Sequence, residues 1–190
     1  TASTAENLTD SRLLGSLFEA IYTHPKPVVA RVHGAAVGGG CGLAAVCDFS
    51  IVADEAKMGF PEVRLGFVPA IVMLFLHGKL GEAHLRDLLL RGPLVSGSDA
   101  ARMGLVTQSV AAADLDAAVD ALADELARET SGEAVALTKT MLARVRGMGF
   151  AEALDYAVQS NALARTTGDF KAGIAAFLDK TDPPWRGEVG

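Results

Sequence analysis

The stretch GAAVGGGCGL at residues 34–43 governs the interpretation of the whole chain. It follows a run typical of a β-strand, Pro27 to His33, and leads into an apolar run typical of a helix, Leu43 to Cys47. A helix that begins at a glycine cluster presents unpartnered backbone N–H groups at its positive end, where glycine permits close approach. The pattern therefore predicts a place that stabilises negative charge, either a bound anion or an oxyanion that forms during a reaction. A close crossing of strand and helix without a ligand is the alternative.

A single carboxylate, Glu62, follows in the apolar segment GFPEV at residues 59–63. N–H donors together with one carboxylate suit proton transfer next to a polarised carbonyl group, because the donors stabilise the charge that the transfer creates. The ordinary alternative for Glu62 is a solvated or helix-capping acid. The sequence thus predicts either an acid–base site or two unrelated structural features.

Composition limits the function classes. The 190 residues suit one domain, or a domain with a small appendage, and 50% of them are hydrophobic, enough for a substantial core. The net charge of −6 argues against a general nucleic-acid-binding protein, and no apolar run approaches the length of a membrane span. The N-terminus lacks the pattern of a secretory signal. Cys41 and Cys47 have neither disulfide-framework nor zinc-binding spacing, so we expect them to pack inside a protein of the reducing cytoplasm.

Hydrophobic periodicity and turn residues predict strands early in the chain and helices later. Strands are predicted at 28–32, 48–53, 57–60 and 105–110. A first helix is predicted to begin at Thr9 or Asp10 and to end before Pro25, and a second one directly follows the glycine cluster. Further helices are predicted at 70–80, 82–90, 97–103 and 114–129. Three more helices are predicted to begin at Ser131, at Phe150 and at a cap formed by Asp169. The apolar faces of the last three helices must be buried against other parts of the protein, and another subunit could bury part of them.

Several motifs occur in a characteristic order along the chain. They are KPVVA at 26–30, GGGC at 38–41, FPEVRLG at 60–66, LLLRG at 88–92, AARMGLV at 100–106 and a final AFLDK at 176–180. This ordered set, which covers nearly all of the chain, resembles the enoyl-CoA hydratase/isomerase family, also called the crotonase superfamily.

The resemblance implies an α/β fold, the crotonase-like β-β-α spiral, followed by a helical oligomerisation region. Residues 1–110 would form the C-terminal part of the spiral core and residues 111–190 the trimerisation region. It also implies a homotrimer or a dimer of trimers that acts on an acyl-CoA thioester. Neither metal nor cofactor is expected, since coenzyme A is part of the substrate.

Family members hold the thioester oxygen with two backbone N–H groups. By resemblance Gly39 supplies one of them, and Glu62 is the catalytic acid–base group. The other N–H belongs to an upstream A-G-x-D-like segment that these residues lack, so we expect that an N-terminal part is missing. The resemblance assigns substrate contacts to Gly38, Gly40, Gly42, Phe60, Pro69, Phe177 and Lys180, the last two near the nucleotide end of coenzyme A.

The chain departs from the family pattern at two positions. Typical hydratases carry a first glutamate where Gly42 stands, and one isomerase subgroup carries an acid where Ala70 stands. Two carboxylates suit the addition of water, whereas one carboxylate suffices to move a proton between two carbons. The leading hypothesis is an enoyl-CoA hydratase. The alternatives are an enoyl-CoA isomerase that uses Glu62 alone, and a non-catalytic CoA-binding or assembly subunit.

Overall fold

The computed structural model describes residues 3–186. The chain divides into two compact units. The first unit comprises the N-terminal residues through Tyr22 together with Val28–Asp120, and the second comprises Thr23–Pro27 and the chain from Ala121 onward. The division between 110 and 111 that the sequence suggests stays a prediction of domain organisation.

Six short strands build two three-stranded sheets in the first unit. They are β1 (Val29–Val32), β2 (Ala36–Val37), β3 (Phe49–Ala53), β4 (Lys57–Gly59), β5 (Leu94–Ser96) and β6 (Gln108–Val110). The first sheet has the parallel order β1-β3-β6. In the second sheet, of order β2-β4-β5, β2 pairs with β4 in parallel and β4 with β5 antiparallel. Strands β1 to β4 therefore alternate between the two sheets, whereas β5 pairs with β4 in the second sheet and β6 returns to the first.

The predicted strands at 28–32, 48–53 and 57–60 are confirmed to within a residue. The strand predicted at 105–110 is shorter and begins at Gln108. Strands β2 and β5 were not predicted, because two or three residues are too few to show an alternating pattern.

Helix α1 (Thr4–Thr23) begins earlier than the predicted caps at Thr9 and Asp10. The Ser3 backbone N–H donates to Glu6 Oε2 at 2.7 Å, and the Glu6 N–H donates to Ser3 Oγ at 3.2 Å. This is a capping box, which satisfies two helix-start donors reciprocally. The predicted start was therefore wrong.

Helix α2 (Gly39–Val46) lies in the middle of the core of the first unit. Its Cys41, Ala44 and Ala45 are buried, and they belong to one hydrophobic cluster with side chains from both sheets and from the later helices. Those helices are α3 (Ala70–Leu76), α4 (Glu82–Arg86), which continues as a π-turn over Asp87–Arg91, and α5 (Gly97–Met103). Small residues on α2 allow this close packing.

The second unit is helical. Helix α6 (Leu115–Glu129) enters it, and α7 (Gly132–Val145), α8 (Phe150–Ala164) and α9 (Gly168–Asp179) follow. Thr167 caps α9 by accepting from the Phe170 N–H, so the predicted Asp169 cap was wrong. Asp169 instead accepts from Ser131 Oγ and the Glu133 N–H at the start of α7. Within residues 3–186, every helix is too short or too polar to cross a membrane.

Candidate active site

The glycine cluster forms a tight turn between β2 and α2. Gly38 has φ 58° and ψ −123°, the values of the first central residue of a type II′ turn, where glycine is strongly favoured. Its N–H donates to the Gly59 carbonyl at 2.9 Å, and its own carbonyl accepts from the Gly42 N–H at 2.9 Å. Gly38 is thus fixed between a strand and the first helical turn, and its amide is already used.

The next two amides remain available. Gly39 and Gly40 begin α2, and within residues 3–186 no acceptor pairs with their N–H groups. Both residues are exposed. N–H groups in the first helical turn have no intrahelical partner and carry the positive end of the helix dipole. The arrangement can therefore stabilise a negatively charged oxygen.

Glu62 lies on a short 3₁₀ segment, Pro61–Leu65, which directly follows β4. Its Oε1 atom is 3.3 Å from the position that a Cβ on Gly38 would occupy. Its Oε2 atom is buried and has no hydrogen-bond partner in the described part of the chain. A buried unpaired carboxylate oxygen costs about 1–3 kcal/mol or more, and such groups often mark functional sites.

The register of the second sheet explains why the turn and the carboxylate meet. Val37 at the end of β2 is paired with Gly59 at the end of β4. Because the strands are parallel, the segments that follow them leave the sheet at the same edge. Gly38 and Glu62 therefore become neighbours, although they are distant in sequence.

Position 42 has a different environment. A Cβ on Gly42 would lie 2.9 Å from Cζ of Phe18 and 3.1 Å from Cγ2 of Val72. Contacts under 3.0 Å are essentially absent from real Cβ atoms, so these neighbours would have to move. The surroundings of Gly42 are aromatic and aliphatic rather than open to a ligand.

A sequence model described as enoyl-CoA hydratase/isomerase matches residues 3–188. The chain belongs to the enoyl-CoA hydratase/isomerase family. A Thermus thermophilus protein with the provisional name enoyl-CoA hydratase is 42% identical over 178 residues, 94% of this chain and 70% of that protein. The Syntrophomonas wolfei crotonyl-CoA hydratase is 34% identical over 177 residues, 90% of this chain and 67% of that protein. A crystal structure of enoyl-CoA hydratase from Mycobacterium smegmatis has a TM-score of 0.92 at 27% identity, and the alignment covers 98% of this chain and 72% of that chain.

These comparisons confirm the predicted crotonase-type fold and place the chain in an enzyme family. Two predicted substrate contacts of this hydratase/isomerase chain lie at buried positions. Phe60 is 0% exposed and belongs to the hydrophobic core, and Gly42 is buried against Phe18 and Val72. Their roles as substrate contacts stay predictions.

The structure brings Gly38, Gly39, Gly40 and Glu62 together, as the sequence predicts. Pro69, which is half-buried, precedes the first residue of α3. The other predicted contacts, Phe177 and Lys180, are exposed at the end of α9 in the second unit. Their roles, like those of the glycines, stay predictions.

The cysteine beside the turn does not suit nucleophilic chemistry. Cys41 is fully buried, and this burial raises the pKa of its thiol to about 12, although a hydrogen bond with the Gly59 backbone opposes the rise. The negative charge of Glu62 also raises the Cys41 pKa. The thiol therefore stays protonated at neutral pH. Within the described part of the chain, no group of three or more His, Cys, Asp or Glu residues has a metal-binding arrangement.

Sequence reasoning missed two supporting residues. Gly59 accepts the Gly38 N–H, and a Cβ on Gly59 would lie 2.3 Å from the Pro93 carbonyl oxygen, so only glycine fits there. Phe18 fills the space beside Gly42 from a distant helix. Gly59 could have been noticed in the sequence, because it is a glycine directly before Phe60. The role of Phe18 depends on tertiary packing, which no local sequence pattern indicates.

Proposed function

We propose that this chain carries the acid–base site of an enoyl-CoA hydratase, an enzyme that adds water to a 2-enoyl-CoA thioester. The observation that carries the proposal is the Glu62 carboxylate, packed against Gly38 with one buried, unpaired oxygen, directly beside the available amides of Gly39 and Gly40. The names of relatives that act on enoyl thioesters, such as the crotonyl-CoA hydratase of Syntrophomonas wolfei, give the substrate class.

In this proposal the thioester oxygen accepts a hydrogen bond from the Gly39 N–H. Glu62 takes a proton from water while the water oxygen bonds to C3, and the double-bond electrons move to form an enolate on the thioester oxygen. The proton on Glu62 then passes to C2, which restores the thioester and completes the addition. An oxyanion donor of this kind contributes about 10²–10³ in rate and a general base about 10²–10⁴.

The remaining features of the proposal concern the whole protein. Coenzyme A enters as part of the substrate, no other cofactor is required, and Phe177 and Lys180 contact its nucleotide end. Exposed apolar side chains on the last three helices, among them Phe150 and Leu154, support assembly as a homotrimer or a dimer of trimers. The net charge of −6 argues against a nucleic-acid partner. We place the protein in the cytoplasm.

A second candidate function is supported by the packing of position 42. Phe18 and Val72 occupy the space of a side chain there, so Glu62 is the carboxylate that adjoins the turn. A single carboxylate suffices for an enoyl-CoA isomerase, which takes a proton at one carbon and returns it at another.

The test is an assay of the full-length protein with crotonyl-CoA, which reports water addition, and with a 3-enoyl-CoA, which reports migration of the double bond. We expect Glu62→Gln to lower either rate at least about a hundredfold, the low end for a general base. Glu55→Gln, which removes an exposed carboxylate between β3 and β4, is the matched control and should keep the normal rate. Binding of crotonyl-CoA without turnover by the unaltered protein would instead support a non-catalytic subunit, and unchanged turnover in Glu62→Gln would remove Glu62 from the mechanism.

A further inference from the structure

We infer that Lys79 is a positioning residue for the proposed site. Its ammonium group caps the C-terminal end of α2, and its positive charge adds to the stabilisation of an enolate at the opposite end of the same helix, beside the amides of Gly39 and Gly40. The inference rests on the proposed thioester chemistry, and it concerns the enolate itself rather than the reaction that consumes the enolate.

Lys79 reaches α2 from the segment between α3 and α4. Its Nζ atom donates to the Ala45 carbonyl at 2.8 Å, although 34 residues separate the two in sequence. The last carbonyls of a helix lack partners within the helix and form the negative end of its dipole. A cation at this end offsets negative charge that would otherwise oppose an anion at the start of the helix.

Two neutral side chains bond the neighbouring carbonyls of α2. Cys47 Sγ donates to the Leu43 carbonyl at 3.2 Å, and Ser50 Oγ, which belongs to the fully buried Ser50 on β3, donates to the Ala44 carbonyl. Neutral donors therefore satisfy carbonyls at this end of the helix. The hydrogen bond alone does not require a lysine at position 79, whereas the charge does.

The Lys79 ammonium is partly withdrawn from water. Its side chain is half-buried, and this burial lowers the pKa of Lys79, an effect that the nearby Cys47, Asp48 and Cys41 oppose. The Asp48 carboxylate is exposed and accepts from the Val28 N–H at 2.7 Å. Because solvent screens an exposed charge more than a half-buried one, the ammonium acts on α2 more strongly than this carboxylate.

The length of α2 sets the size of the effect. The helix has 8 residues and therefore spans about 12 Å, which places the ammonium about 12–15 Å from an oxygen at the helix start. At an effective dielectric constant of about 20–40, a unit charge at this distance favours the enolate over the neutral thioester about 3–10-fold. A neutral thioester gains little, so the charge acts on the reacting state rather than on ground-state binding.

The experiment titrates acetoacetyl-CoA bound to the full-length protein. This 3-oxo thioester has acidic C2 protons, and its enolate absorbs in the near ultraviolet, so the titration gives the ionisation constant of the bound ligand. Lys79→Met should lower this constant about 3–10-fold, and Lys79→Arg, which keeps the charge, should stay within about twofold of the unaltered protein. The Kd of butyryl-CoA, a thioester that stays neutral, should change less than about twofold in both variants.

Ser50→Ala is the matched control, because it removes a neutral donor from the adjacent carbonyl of the same helix end. It should lower the Tm but leave the ionisation constant of bound acetoacetyl-CoA unchanged. An unchanged constant in Lys79→Met, or an equal fall in Ser50→Ala, would reduce Lys79 to a structural cap and overturn the inference.

The proposed function is tested separately, by turnover. A full-length protein that converts neither crotonyl-CoA nor a 3-enoyl-CoA would contradict the proposed function, while a lower ionisation constant in Lys79→Met alone would still support the role of Lys79. A protein that does not bind acetoacetyl-CoA would overturn both.

Discussion

Replacing Gly38 by alanine should damage both stability and activity, because this residue holds the turn and adjoins the proposed base. Its φ of 58° with ψ of −123° lies in a region that L-residues adopt at a cost of about 1–3 kcal/mol. The added Cβ would also stand 3.3 Å from Glu62 Oε1, closer than most real Cβ contacts. Together these effects predict a loss of about 2–4 kcal/mol in the free energy of unfolding.

The assay is urea unfolding followed by steady-state kinetics on the folded variant. Since the Cβ displaces the Glu62 carboxyl by a few tenths of an ångström, we expect turnover to fall about 10–100-fold, as small misplacements of catalytic groups do. Gly40→Ala is the control: its Cβ meets nothing within 4 Å, so its stability should change by less than about 1 kcal/mol. A Gly38→Ala protein with normal stability and normal turnover would refute both the turn geometry and its link to Glu62.

Three further predictions concern other parts of the chain. In a Cys47→Ser background, a thiol reagent at pH 8 should modify Cys41 about a thousandfold more slowly in the folded than in the unfolded protein. The reason is that burial raises the pKa of Cys41 to about 12, and equal modification rates would contradict this burial. Lys180→Gly should raise the free energy of unfolding by about 1 kcal/mol, because Lys180 has a left-handed φ of 56°; denaturant midpoints test this, and a decrease would contradict it. The hydrogen bonds from Ser3 lower the pKa of Glu6 in the folded protein. Their contribution to the free energy of unfolding is therefore fully present above the Glu6 pKa of the unfolded chain, and it is lost as the pH falls through the lower pKa of the folded protein. Amide exchange at the start of α1 should accelerate in that window but not in Glu6→Gln, which keeps the capping geometry without titrating.

The sequence was sufficient for the features that local patterns encode. The buried strands, the glycine turn and the helix caps at Ser96 and Ser131 follow from short apolar runs, glycine clusters and capping residues. The assignment of Glu62 to the turn needed the ordered motifs, because nothing local connects it to Gly38. In the structure that connection comes from the parallel pairing of Val37 with Gly59.

Long-range packing accounts for the features that the sequence did not disclose. Helical spacing places Leu13, Leu17 and Phe18 on related positions of α1, yet Leu13 is 70% exposed and Phe18 only 1%. The helical spacing identifies a set of apolar residues on α1, but it does not show which of them contacts Gly42. Likewise, Asp169 accepts a hydrogen bond from the N–H of Glu133, which lies 36 residues earlier in the chain, in the first turn of α7, so its local position suggested the wrong cap.

The most direct measurement is the exchange of the C2 protons of butyryl-CoA with D₂O, followed by NMR in the full-length protein. This saturated thioester can neither add water nor move a double bond, so exchange reports only whether a carboxylate removes a proton while amides stabilise the enolate. We predict exchange by the unaltered protein and by Glu55→Gln, and a rate at least about a hundredfold lower for Glu62→Gln. Exchange at an undiminished rate in Glu62→Gln would contradict the account.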